Sequence, residues 1–175
     1  SVAYGNIFLN EASQLSGDGI FEGDVLNFGE ILPGDGVGTL TIDGTYEQIG
    51  LAPGYGSASG VLSIEMDATG HDVLSVSTLA ELGGGLIVEL LDGYEPAQGE
   101  TFEVLNALLV LGQFDVALLP GLSNNKFMQV QSAAQGRAQS VSLVVQSFSD
   151  LMNIALPDQP VDVTGVPTDV AVGDL

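Results

Sequence analysis

Gly38-Thr-Leu-Thr-Ile-Asp-Gly44 sets Leu40 and Ile42 on one side of an extended chain, with Thr39, Thr41 and Asp43 on the other. A period of two turns one face inward and leaves the other in water. The same alternation recurs in Leu62 and Ile64 against Ser63 and Glu65, and in Val141 and Leu143 against Ser140 and Ser142. Further short β-rich runs occupy 72–77, 85–90 and 101–105. Glycine supplies 24 of 175 residues, about twice its usual share, and it separates these runs as punctuation. Many short strands joined by tight turns are expected. Helical periodicity is weak: its best candidates are 101–111 and 146–155 (Phe148, Leu151, Met152, Ala155), and neither is expected to form a helix.

Strands of about five residues without helical crossovers leave sandwiches, barrels and β-solenoids. The first 45 residues favour the last of these. Single apolar residues or pairs recur there every five to nine positions, at Ile7 to Leu9, Leu15, Ile20-Phe21, Val25-Leu26, Ile31-Leu32 and Leu40 with Ile42. Such brief segments bury little alone, whereas stacked repeats share one core.

The stretch from Leu15 to Gln48 carries a G-x-G turn (Gly17-Asp18-Gly19), Val25, then Asn27-Phe-Gly-Glu-Ile-Leu-Pro-Gly34, and finally Gly38-Thr-Leu-Thr-Ile-Asp-Gly-Thr-Tyr-Glu-Gln48. In that order it resembles the autotransporter-associated β-helix repeat. The likeness extends through Gly60 to Met66, Leu79 to Val88, Gly93 to Leu105, Gly112-Gln-Phe114 and the strand ending at Val145, covering roughly residues 5–145. It implies a right-handed parallel β-helix from a secreted or surface-exposed protein, used as a stalk or adhesive scaffold. No segments of alternating outward apolar residues with aromatic girdles follow, so a translocating membrane barrel is not expected within this chain. Residues 167–175, Pro-Thr-Asp-Val-Ala-Val-Gly-Asp-Leu, resemble the opening of an FG-GAP propeller repeat. That likeness implies Asp174 as the first ligand of a calcium loop whose remainder is not in this sequence.

The chain holds 23 Asp and Glu against two bases, Lys126 and Arg137, for a formal net charge of -21. Such a surface repels nucleic acid and anionic membranes. Acids with so few counter-charges repel one another in the folded state, and salt or divalent cations screen them, which suits a saline or calcium-containing medium. Cysteine is absent, which excludes disulfides, thiolate metal sites and cysteine nucleophiles. No apolar run is long enough to span a bilayer and no signal peptide is visible, so a soluble or already processed chain is expected.

Candidate chemistry is sparse. His71 beside Asp72 reads as a surface-turn histidine, since neighbours on a strand face opposite ways. Carboxylate pairs that would serve a glycosidase are plentiful by number alone, and a lyase acting on acidic sugars needs cations this chain lacks. Gly17-Asp-Gly19 and Gly34-Asp-Gly-Val-Gly38 read as turns, having neither the lysine of a phosphate loop nor the acid spacing of a calcium loop. Tyr46, Tyr55 and Tyr94 sit in Gly-rich or turn-rich contexts where exposure for sugar stacking is expected, while Phe102, Phe114 and Phe127 read as core or end-cap residues.

The sequence therefore predicts an all-β protein, a right-handed parallel β-solenoid over residues 1–145 with a β-rich cap, the alternative being an antiparallel β-sandwich. Residues 146–175, with three of the seven prolines, are expected to form a cap, extended tail or linker. The expected role is a non-catalytic, secreted or cell-surface scaffold or adhesion module of a larger exported protein. A filament subunit and a carbohydrate-binding or carbohydrate-active β-helix are the alternatives. No catalytic, cofactor or metal residues are assigned, weak calcium binding by clustered acids apart. Partners are expected among other domains of the same polypeptide, or further copies joined through the ends or the tail.

Overall fold

The computed structural model describes residues 2–50, 59–135 and 138–149. Among these residues fifteen strands follow one another: β1 (Val2–Tyr4), β2 (Ile7–Leu9), β3 (Gln14–Gly17), β4 (Gly19–Glu22), β5 (Val25–Asn27), β6 (Glu30–Pro33), β7 (Thr39–Asp43) and β8 (Tyr46–Gln48). Then come β9 (Val61–Met66), β10 (Val73–Leu82), β11 (Gly85–Leu90), β12 (Thr101–Gly112), β13 (Val116–Leu118), β14 (Lys126–Gln135) and β15 (Ala138–Ser147). The protein is all-β, as the alternating pattern predicts.

Pairing follows a simple rule through the first seven strands: each pairs in parallel with the strand three places later. Val2 faces Ile20, Ile7 faces Val25, and Leu15 faces Ile31; the next set repeats this with Phe21 on Ile42, Val25 on Tyr46 and Ile31 on Leu62. Three rows of parallel strands result. Two of them converge on β10, whose first half pairs with β7 and whose second half pairs with β8. An irregularity between Val76 and Leu79 separates the halves. The third row runs β3-β6-β9-β11-β13.

Every ladder among β1 to β13 is parallel, so an antiparallel sandwich does not describe this pairing. Among the described residues, antiparallel ladders join only β12 to β15 and β15 to β14. This hairpin, over 126–147, lies largely before the boundary expected at residue 145. From residue 150 onward the expected cap or tail, the FG-GAP-like segment with Asp174, and most of the 146–155 candidate lie outside the described residues, as do Tyr55 and Arg137.

One hydrophobic cluster runs between the rows, with Ile31, Ile42, Leu62, Leu74, Leu86, Leu105 and Leu143 among its fully buried members. Leu40 and Ile42 are buried while Thr39 and Asp43 are exposed, the arrangement the opening heptapeptide predicts. The 101–111 stretch is strand β12, in keeping with its poor helical period. A register shift between Glu103 and Leu105 puts Val104 and Leu105 both inside, which is why its apolar residues do not alternate cleanly.

Close approach of backbones explains part of the glycine content. A Cβ on Gly23 would lie 2.0 Å from the Gly5 carbonyl oxygen, and one on Gly44 would lie 2.1 Å from that of Gly23. These residues stack in the turn between the first two rows, where Gly5 N–H donates to Glu22 O and Gly23 N–H to Asp43 O. Gly23 also holds φ at +142°, a conformation that a side chain disfavours.

Candidate functional site

The turns are tied together by short acids. Asp18 Oδ1 accepts from Thr39 N–H at 2.8 Å, Asp24 Oδ1 from Thr45 N–H at 2.9 Å, and Asp115 Oδ2 from Gly84 N–H at 2.8 Å. Asn6 Oδ1 does the same for Asp24 N–H at 3.1 Å. Each acceptor satisfies an amide on a segment distant in sequence, so part of the acid content is structural. The G-x-G segments are indeed turns: Gly17, Gly19, Gly34 and Gly36 all hold positive φ.

Asp72 is the extreme case. It is fully buried, its Oδ1 accepting from Gly38 N–H and its Oδ2 from Glu65 N–H, both at 2.8 Å. Burial pushes its carboxyl up from 3.8 to about 6, outweighing the two amide donors, while Glu65 and Asp18 add like charge. His71 faces elsewhere. Its Nε2 lies 3.0 Å from Glu103 O and its ring meets Phe102 edge-on at 5.4 Å. No His71–Asp72 pair forms, because each residue serves a different neighbouring segment.

Side chains expected to be exposed divide. Tyr46 is fully buried, a correction to its expected exposure: its hydroxyl donates to Gln48 Oε1 and accepts from Asn27 Nδ2. Burial raises the Tyr46 hydroxyl far above the ordinary tyrosine range. Tyr94 is half-buried against the core, as are Phe102 and Phe114. Phe127 instead packs on Phe148, with ring centroids 4.9 Å apart.

The outer face of the middle row carries the most distinctive surface. Phe8, Leu26, Glu47 and Glu81 stand in register across β2, β5, β8 and β10, and Phe28 meets Phe8 with ring centroids 5.1 Å apart. Beside them an open groove of about 470 Å³ is lined by Leu26, Phe28, Glu47, Ile49, Glu81 and Asp115. A neighbouring depression of about 420 Å³ shares Phe28 and adds Glu11, Glu30 and Ile87. Glu30 is already engaged, accepting from Ser63 Oγ and Gln14 Nε2. Glu47 and Glu81 face each other across a parallel ladder, an arrangement in which like charges repel.

This strip offers apolar stacking beside hydrogen-bond acceptors. Lys126 cannot supply a positive partner there: its Nζ is held by Glu95 at 2.9 Å and Pro96 O at 2.6 Å. Among the described residues no three acidic or histidine side chains converge to hold a metal ion. The aromatic strip was not legible in the sequence, since Phe8 and Phe28 meet only after β2 and β5 pair.

Compared with known protein families and with curated proteins, the chain matches none of either.

Proposed function

We infer that this chain is a right-handed parallel β-helix serving as a non-catalytic scaffold or adhesion module of an exported, surface-located protein. The observation that carries this reading is the repeated parallel pairing of each of the first seven strands with the strand three places later, around one apolar interior. In a solenoid each winding contacts only its neighbours, so length is adjustable and the outer walls are free for contact. The acidic exterior keeps such a rod soluble and disperses it from anionic surfaces.

Modularity is testable by deletion. Removing residues 19–39 puts Leu40 where Gly19 paired and Tyr46 where Val25 paired. The shortened chain is expected to keep a strand-type circular dichroism spectrum and a single melting transition, at a lower temperature. Loss of all cooperative structure would sink the solenoid reading, since a fold closed through these strands would not survive the excision.

A second reading rests on the Phe8–Phe28 strip beside Glu47 and Glu81, which fits a carbohydrate-binding or carbohydrate-active wall. Incubation with neutral and acidic polysaccharides is expected to release no reducing ends. Cleavage that disappears in the Glu47→Gln, Glu81→Gln double variant would replace the scaffold reading with an enzymatic one.

A further inference from the structure

The three rows of parallel strands do not finish alike. In the first row β12 is followed by β15, laid antiparallel and backed by β14, and this ladder stops at Ala107 and Gln139. Past it, residues 108–112 of β12 pair with β10 on one side and with no strand on the other among the described residues. The edge of β13 away from β11 is open in the same way. Val110 N–H donates to Gln139 Oε1 at 2.6 Å, a side-chain acceptor standing where a strand carbonyl would.

These two edges carry a concentrated apolar surface. Leu108, Leu109, Leu111, Val116 and Leu118 are all exposed. Asp115, whose carboxylate accepts from Gly84 N–H, is the single charged residue between Val104 and Leu119. Two hollows of about 220 Å³ each lie between this surface and the hairpin, one lined by Phe114, Ala117 and Val141, the other by Val110, Gly112 and Ser132. Contiguous exposed apolar surface marks a contact site, and an open strand edge accepts a further strand.

We propose that the occupant is the chain's own continuation, residues 161–166 adding a parallel strand to the open edge of β12 and covering the leucines there. Twenty-six residues follow Ser149. β15 ends beside the start of β12, Val144 facing Thr101, so a return from Ser149 to the level of residue 108 spans roughly 40 Å, about 12 residues of extended chain. That length delivers Val161-Asp-Val-Thr-Gly-Val166 to the edge, running in the direction of β12. Val161 and Val163 alternate with Asp162 and Thr164, and Pro160 and Pro167 bracket the run, which suits an outermost strand that nothing further joins. Charge points the same way. A second copy would bring a net charge of -21 to the contact, whereas residues 150–175 bring five acids, and their tether holds them at high local concentration.

The cysteine-free sequence allows a nitroxide label at one introduced site, Thr168→Cys, just beyond the proposed strand. In the full chain, amide signals of residues 108–112 and 116–118 are expected to lose intensity to the label, while those of β1 and β2 keep theirs. Unbroadened signals at 108–118, or equal broadening throughout, overturn the proposal. So does broadening found only when labelled chain is mixed with isotope-enriched unlabelled chain, which reports a second copy on this surface. The labelled chain carrying Val161→Asp and Val163→Asp is expected to recover the lost intensity, and broadening that persists overturns the assignment of 161–166. Melting curves verify that each variant remains folded.

Discussion

Gln48→Leu is expected to lower stability by about 3–5 kcal/mol although the two side chains are close in size. Gln48 is 2% exposed, and its Nε2 reaches Gly60 O at 3.1 Å, Gly83 O at 2.7 Å and Gly85 O at 2.9 Å. Its Oε1 accepts a hydrogen bond from the Tyr46 hydroxyl. Tyr46 in turn accepts from Asn27 Nδ2, which also donates to Val61 O, while Asn27 Oδ1 accepts from Gly29 N–H. One amide thus joins β8 to the residue before β9 and to the turn from β10 into β11. Leucine would strand the Tyr46 hydroxyl and leave carbonyls short of a donor where water cannot replace it, and each such group costs about 1–3 kcal/mol. A melting temperature lower by roughly 10 °C follows for a domain of this length. Tyr46→Phe removes one hydroxyl, taking the donor from Gln48 Oε1 while Asn27 Nδ2 keeps Val61 O, and is expected to cost about 1 kcal/mol. In the double variant the two losses should fall short of their sum, because they share a bond. Chemical denaturation that places Gln48→Leu within the error of the parent would show that the network contributes little.

The second large effect is on pH dependence. Asp72 titrates near 6 when folded and from an ordinary 3.8 when unfolded, so between these values the folded state holds the extra proton. Stability then falls as pH rises from about 4 through 6, and is flat above that as far as this group is concerned. The ionised carboxylate costs about 2–3 kcal/mol relative to its protonated form. Asp72→Asn cannot titrate, and its amide turns a donor toward one of the two N–H groups that Asp72 serves. Denaturant midpoints of parent and variant, compared between pH 4 and 8, should differ most at the acid end. Every other side chain is common to both proteins, so the comparison isolates Asp72. Parallel curves across the range would show that Asp72 is not the group responsible.

Glu95 is shifted the other way: its hydrogen bond from Lys126 holds its carboxyl below the usual range, with Ser123 adding donors.

Alternation of Leu40 with Ile42, and of Leu62 with Ile64, made the strands and their inward residues legible, because a period of two needs only local geometry. Turns were legible for the same reason, glycine being the residue that tolerates positive φ. Tyr46 was misjudged from its glycine-rich surroundings. Its burial depends on Asn27 and Gln48 being brought opposite one another in register, and no property of the segment 44–50 alone announces that. Asp72 likewise looks like a solvated turn acid until Gly38 and Glu65 present their amides to it. The aromatic strip exists only because the pairing of β2 with β5 brings Phe28, in the bend just after β5, against Phe8.

Strand positions, the all-β character and the acidic exterior were thus settled by the order of residues, since propensity, pattern and charge are local or additive. Parallel pairing, the reversed hairpin at one end and the burial of Asn27, Gln48 and Asp72 were decided by the tertiary structure. Which amide meets which carbonyl depends on segments far apart in the chain, and only their stacking removes the water that would otherwise satisfy them.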